Sequence, residues 1–259
     1  MTDIVKKIGK KVLSIITLVP SILPPVVLGK LIYYTAERKA RALKPKEGLK
    51  FLFELDNSLY PLQGTLACAY DNGLHTKHRH TKYHDFFVEH VNPSERVLDV
   101  GCGNGALTYD IAKKVASGEV LGIDLNSENI AIADEKYSCQ NVSYMIGDVL
   151  ADGTLPTNHF DVVILSNVLE HLTERSNFLS MVWNKVNPKR ILLRVPLFER
   201  DWRVPLKEEL GIDWRLDPTH ETEYTMESWS REIKDAGLTV THQEIRWGEI
   251  WAEVVKDVS

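Results

Sequence analysis

The stretch RVLDVGCGNGALTYDIAKKVA, from Arg96 to Ala116, constrains this chain more than any other. An apolar run of strand length, Arg96 to Val100, passes directly into Gly101-Cys-Gly103-Asn-Gly105. A segment follows, Ala106 to Ala116, in which Leu107, Ile111 and Val115 recur at helical spacing. Strand, glycine turn and helix in that order open a βαβ unit. Glycines there take turn conformations with no side chain in the way, so a ligand can approach the backbone closely. The start of the helix adds unbonded N–H groups facing the same point.

The alternation continues downstream. Glu119 to Asp124 reads as a second strand and Ser127 to Tyr137 as a helix capped by Asn126 or Ser127. Val142 to Ile146, Phe160 to Ser166 and Arg190 to Val195 read as three further strands. The pattern then lapses over 196–224, longer than an ordinary connection in a compact domain, and resumes in a helix from Met226 to Ala236 that ends at Gly237. Leu238 to Arg246 and Glu249 to Val255 flank Trp247-Gly248, the spacing of a tight hairpin. Asp124 closes the second strand about 20 residues after the glycines, where a carboxylate can accept from both ribose hydroxyls of a nucleoside. Gly101-x-Gly103-x-x-Ala106 also satisfies the dinucleotide fingerprint, so an NAD(P)-dependent oxidoreductase stays open on the glycines alone.

Four motifs in order break that ambiguity: VLDVGCGNG, GIDLN, Gly147-Asp148 and FDVVILSNVLEHL. On these residues the chain resembles the class I S-adenosylmethionine-dependent methyltransferases from about Tyr83 to Val255. The resemblance implies an α/β fold, a doubly wound, seven-stranded, mostly parallel sheet with a C-terminal antiparallel hairpin, and S-adenosyl-L-methionine as cofactor. It also implies roles: Asp99 and Gly101 beside the methionine portion, Gly103 and Gly105 in the closing loop, and Asp124 on the ribose. Leu125 would pack on adenine, Asp148 would accept from its amino group with Val149 beside it, and Asn167 and Val168 would line the floor. A non-catalytic partner subunit built on the same fold is the remaining alternative.

Methyl transfer needs positioning and, for oxygen or some nitrogen acceptors, a base. Glu170 and His171 follow the fourth strand, over the carboxyl ends where open α/β sheets bind ligands. His171 is thus the first candidate for a catalytic role, and His220 in the long loop the second. Relatives with Glu-x-x-Glu-His at this point bind a divalent metal; Asn167-x-x-Glu170-His171 lacks the first Glu, and no metal is expected. Nor do His75, His78, His80 and His84 follow a zinc spacing; Lys77, His78, Arg79, Tyr83 and His84 read as a polar helix over the cofactor. In the segment 196–224, Arg200, Trp202 and Arg203 offer guanidinium and aromatic faces, so it reads as a substrate lid for a small-molecule, saccharide or lipid-linked acceptor.

Composition adds limits. A formal net charge of −5 gives no global attraction to nucleic acid, and Cys68, Cys102 and Cys139 form no C-x-x-C pair, which fits a reducing, cytoplasmic setting. Val12 to Gly29 carries no charge, while Lys6, Lys7, Lys10 and Lys11 precede it and Lys30, Arg38, Lys39 and Arg41 follow. Pro20, Pro24 and Pro25 interrupt it as a span, and basic flanks at both ends keep both on one side of a bilayer. Residues 4–41 therefore read as a re-entrant or interfacial segment at the cytosolic face of a membrane, with packing on the domain, an oligomer contact and a true span as alternatives. The expected division is an N-terminal apolar helical appendage over 1–45, a helical cap over 46–90 and the methyltransferase domain over 91–259.

Overall fold

A computed structural model describes residues 22–72, 75–157 and 159–257. Two compact units emerge, one comprising residues 22–65 with Leu210–Ile212, the other 66–209 with 213–257.

In the first unit, α1 (Pro25–Arg41) begins with proline in its first turn, where the missing N–H costs nothing, and ends on Arg38, Lys39 and Arg41 beside the negative helix end. Pro24 and Pro25 therefore stand at the start of a helix. Residues 12–21 of the expected apolar segment lie outside the described residues. A short turn leads to α2 (Pro45–Tyr70), and the helices meet closely at Gly48, where a Cβ would lie 2.7 Å from the Ala40 carbonyl oxygen. No helix among the described residues is long and apolar enough to cross a membrane.

The second unit is built on seven strands. β1 (Arg96–Val100), β2 (Glu119–Asp124), β3 (Val142–Ile146), β4 (Val162–Ser166) and β5 (Arg190–Pro196) are joined to β6 (Leu238–Arg246) and β7 (Glu249–Lys256) in the order β3-β2-β1-β4-β5-β7-β6. The first five pair in parallel, and β7 is antiparallel to both β5 and β6. Trp247 and Gly248 both take positive φ, 56° and 76°, as a two-residue hairpin turn requires.

Both faces of the sheet's centre are covered, which is why β1, β4 and β5 read as largely apolar runs. One face carries Leu98, Val100, Leu165 and Leu193 against α7 (Arg175–Val186) and α9 (Met226–Asp235), through Phe178, Trp183 and Trp229. The other carries Val97, Ile164 and Leu192 against α4 (Tyr83–Glu89) and α5 (Ala106–Lys114), through Phe86, Phe87 and Ile111. α6 (Ser127–Lys136) follows β2 and is capped by the Asn126 side chain, which accepts from the N–H of Glu128 at 2.8 Å. β1 hydrogen-bonds to β2 on one side and β4 on the other, so strand order reverses there and a crevice opens at its carboxyl end.

Candidate active site

That crevice is where the glycine loop lies. Gly101, Gly103 and Gly105 all have left-handed φ values of 70°, 54° and 82°, but for different reasons. A Cβ on Gly101 would sit 2.7 Å from Val168, and one on Gly105 2.7 Å from Ala133 and 2.9 Å from Tyr144, so both answer to packing. A Cβ on Gly103 would meet nothing within 4 Å. Its space faces the cleft, which is lined by Lys77, His78, Tyr83, Asp99, Asn167 and Arg194 among others. The loop is tied to β2: the N–H groups of Gly101 and Cys102 donate to the Ile123 carbonyl at 2.8 and 3.0 Å, and Gly103 N–H donates to Asp124 at 2.8 Å.

The ten residues expected to hold a cofactor all gather at the carboxyl ends of β3, β2, β1 and β4. Asp124 also accepts from Asn126 N–H at 2.8 Å, and Leu125 beside it is 72% exposed, a large apolar surface left open at the cleft edge. Asp148 is exposed and accepts from Leu150 N–H at 2.9 Å; Val149 is half-buried against the core. Asn167 holds a positive φ of 58° and Val168 backs Gly101. Bare backbone at Gly103, the Asp124 carboxylate at the end of β2 and exposed Leu125 after it are groups of the kind a nucleoside could use.

Asp99 is 1% exposed and accepts from the Thr108 hydroxyl at 2.6 Å. Burial pushes its pKa up to about 7, with the Asp124 charge adding to the rise against the Thr108 hydrogen bond. Because the folded-state value lies above the unfolded one, the folded state binds the extra proton between about pH 4 and 7, and stability falls as pH rises through that window. Asp99→Asn removes this ionisation and is expected to melt higher than the parent at pH 8, by an amount on the order of 2–4 kcal/mol. The gap should close at pH 4, measured by thermal unfolding at both pH values; a variant less stable at pH 8 would refute the assignment.

Beyond β4, a 3-10 turn (Leu169–His171) carries Glu170 with no exposed surface. Asn167 Nδ2 donates to Glu170 Oε1 at 2.6 Å, and Oε2 is buried without a partner. Burial raises the Glu170 pKa to about 7. The segment 217–224 lies against this turn, since the N–H groups of Glu221 and Thr222 donate to the Glu170 carbonyl at 2.7 and 3.2 Å. His171 and His220, the two expected catalytic residues, are thereby brought together, their rings 4.8 Å apart and edge to face. Ligating atoms of Glu170, His171 and His220 lie within 4.8 Å of one another, a carboxylate and two imidazoles that could hold a divalent cation. The sequence reading, which expected no metal, judged that site by Asn167 alone and had no sight of His220 beside it.

Glu223, which the sequence reading did not single out, organises this corner. Its side chain is fully buried and accepts from His220 Nδ1 at 2.9 Å, from Leu216 N–H and from Arg200. The signal was the His220-x-x-Glu223 spacing. Arg200 was expected to meet the substrate, but its guanidinium serves Glu223 and the carbonyls of Leu197 and Trp214, so it holds the loop. Arg203 pairs with Asp201 at 2.6 Å, whereas Trp202 is 70% exposed. The expected lid contains α8 (Arg203–Leu210) and is closed at its base by a bridge between Leu197 and Tyr224.

Arg194 was also missed, although a charge inside the apolar run of β5 was the clue. It pairs with Glu249 at 2.6 Å and stacks over Tyr83 and Trp251 at 4.3 and 5.1 Å, forming the back of the cleft. Of the histidine-rich segment, α3 (Lys77–Thr81) brings Lys77 and His78 to the cleft. Burial, then the Lys77 charge, lowers the His78 pKa to about 4 and keeps the ring neutral. Among the described residues the other histidines of that segment join no metal-ligating cluster. A larger cavity, ≈ 680 Å³, opens where β2 and β3 begin, the end of the strands opposite the glycine loop.

Comparison with known proteins agrees with this geometry. Residues 97–189 match the family described as a methyltransferase domain. A ubiquinone biosynthesis O-methyltransferase from Rhodopseudomonas palustris is 27% identical over 154 residues, covering 57% of this chain and 60% of that protein. A ribosomal protein L11 methyltransferase from Ralstonia nicotianae is 34% identical over 119 residues, covering 45% and 37%. The chain thus spans three fifths or less of these relatives. A magnesium protoporphyrin IX methyltransferase from Synechocystis, solved with SAH bound, shares the fold at a TM-score of 0.55 and 20% identity, covering 68% of this chain and 83% of that one. The antiparallel β7 inserted between β5 and β6 departs from the 3-2-1-4-5-6 order of dinucleotide-binding folds.

Proposed function

We infer, from a chain whose residues 97–189 form a class I S-adenosylmethionine-dependent methyltransferase domain, that it methylates an oxygen or nitrogen of a small acceptor beside the 196–224 loop. The observation that carries this reading is the meeting of Glu170, His171 and His220 next to Asn167, which itself lines the cofactor cleft. When bound, S-adenosylmethionine supplies an electrophilic methyl group on a sulfonium. The protein's own residues have two tasks, to align the acceptor and to take its proton.

His220 suits the second task. Glu223, paired with Arg200, holds Nδ1–H, which leaves Nε2 as the acceptor on the ring and stabilises the imidazolium once the proton arrives. Asp99 serves the cofactor's ammonium group, which favours the ionised carboxylate that burial otherwise opposes. Exposed Trp202 offers a face for a planar acceptor. A small hydroxyl-bearing acceptor draws support from the O-methyltransferases among the relatives; saccharide and lipid-linked acceptors have no such support. Native mass spectrometry of the purified protein tests the cofactor half of this reading: a co-purified S-adenosylhomocysteine or S-adenosylmethionine is expected, and a nicotinamide dinucleotide in its place would overturn it.

A further inference from the structure

We propose that α1 and α2 form a docking surface for an anionic lipid bilayer. No residue of α1 is buried, and Val26, Val27, Leu31, Ile32, Tyr33 and Tyr34 are all exposed. On α2, Leu52, Leu59, Leu62, Leu66 and Tyr70 are exposed at spacings of seven, three, four and four, which puts them on one narrow stripe of the helix. No charged residue occurs from Asn57 to Tyr70. So much apolar helix surface left open marks an interaction face.

Charge decides between a bilayer and a second copy of the chain. Residues 22–70, which span both helices, hold seven Lys and Arg against four Asp and Glu, a positive excess within a chain whose formal net charge is −5. Two copies facing each other through this segment would bring like charges together, whereas anionic headgroups would neutralise them. Arg38, Lys39 and Arg41 at the end of α1 can reach headgroups while their stems lie along apolar surface, and Tyr33 and Tyr34 suit the headgroup level. The helices lie in the interface in this arrangement, in keeping with the absence of a spanning helix among the described residues.

The test is flotation of the full chain with phosphatidylcholine vesicles, with and without phosphatidylglycerol, together with sedimentation of the protein alone. Flotation is expected only with the anionic vesicles and is expected to fade at high salt. The R38E/K39E/R41E variant should partition roughly a hundredfold more weakly, because each basic side chain near the charged surface contributes about fivefold. L59Q/L62Q/L66Q should also weaken binding; circular dichroism and S-adenosylmethionine affinity check that both variants are folded. Equal flotation with neutral vesicles, flotation unaffected by the charge reversal, or a dimer that ignores vesicles would each overturn the proposal.

Discussion

Gly103→Val is expected to lower S-adenosylmethionine affinity at least a hundredfold, about 2.7 kcal/mol, while leaving the protein folded. The reason is the open space in front of this residue, where an added Cβ meets no protein atom within 4 Å and a ligand would meet the valine instead. The conformational cost of a side chain at φ 54° is roughly 1–2 kcal/mol, so the melting temperature should fall by roughly 2–8 °C in a chain this size. Gly105→Ala makes the contrast. Its methyl would overlap Ala133 and Tyr144 at 2.7 and 2.9 Å, and overpacking plus backbone strain should destabilise the protein by roughly 2–5 kcal/mol. Titration calorimetry beside thermal melting separates the two; normal binding by Gly103→Val would mean that the ligand does not approach this loop.

His220→Ala is expected to lower kcat by about 10²–10⁴, the range for losing a general base, with S-adenosylmethionine affinity unchanged. Glu223→Gln keeps the shape of the buried hydrogen bond but removes the charge beside the ring, so it should lower kcat by less than His220→Ala, as steady-state kinetics of the two variants would read. Dialysis against a strong chelator distinguishes a base from a ligand. Activity is expected to survive it; loss reversed by Zn²⁺ or Mn²⁺ would assign Glu170, His171 and His220 to a metal instead.

The sheet was legible because its central strands β1, β4 and β5 are buried and read as apolar runs, while turns bound the edge strands: β1, β2, β3 and β6 have the expected limits, and the Trp247-Gly248 turn lies where its spacing put it. β4 begins at Val162 rather than Phe160, since Asp161 is taken up by the N–H of Arg96 at 2.9 Å. The glycine loop was equally legible, because its conformation is a local property of its residues. The corner around Glu170 was not. Glu223 and His220 act through the fold of a long loop over Glu170, and Arg194 through a strand three positions along the sheet from β2. Arg200 misled for the opposite reason: a guanidinium that looks available in sequence is occupied by Glu223 in three dimensions.

The bridge between Leu197 and Tyr224, with Leu197 N–H also donating to Gly248 at 2.9 Å, fastens both ends of the long loop to the sheet at one place. A segment pinned at its neck can be lengthened, shortened or rewritten without shifting the strands that carry the glycine loop. Changes inside the loop are thereby uncoupled from the crevice at the carboxyl end of β1.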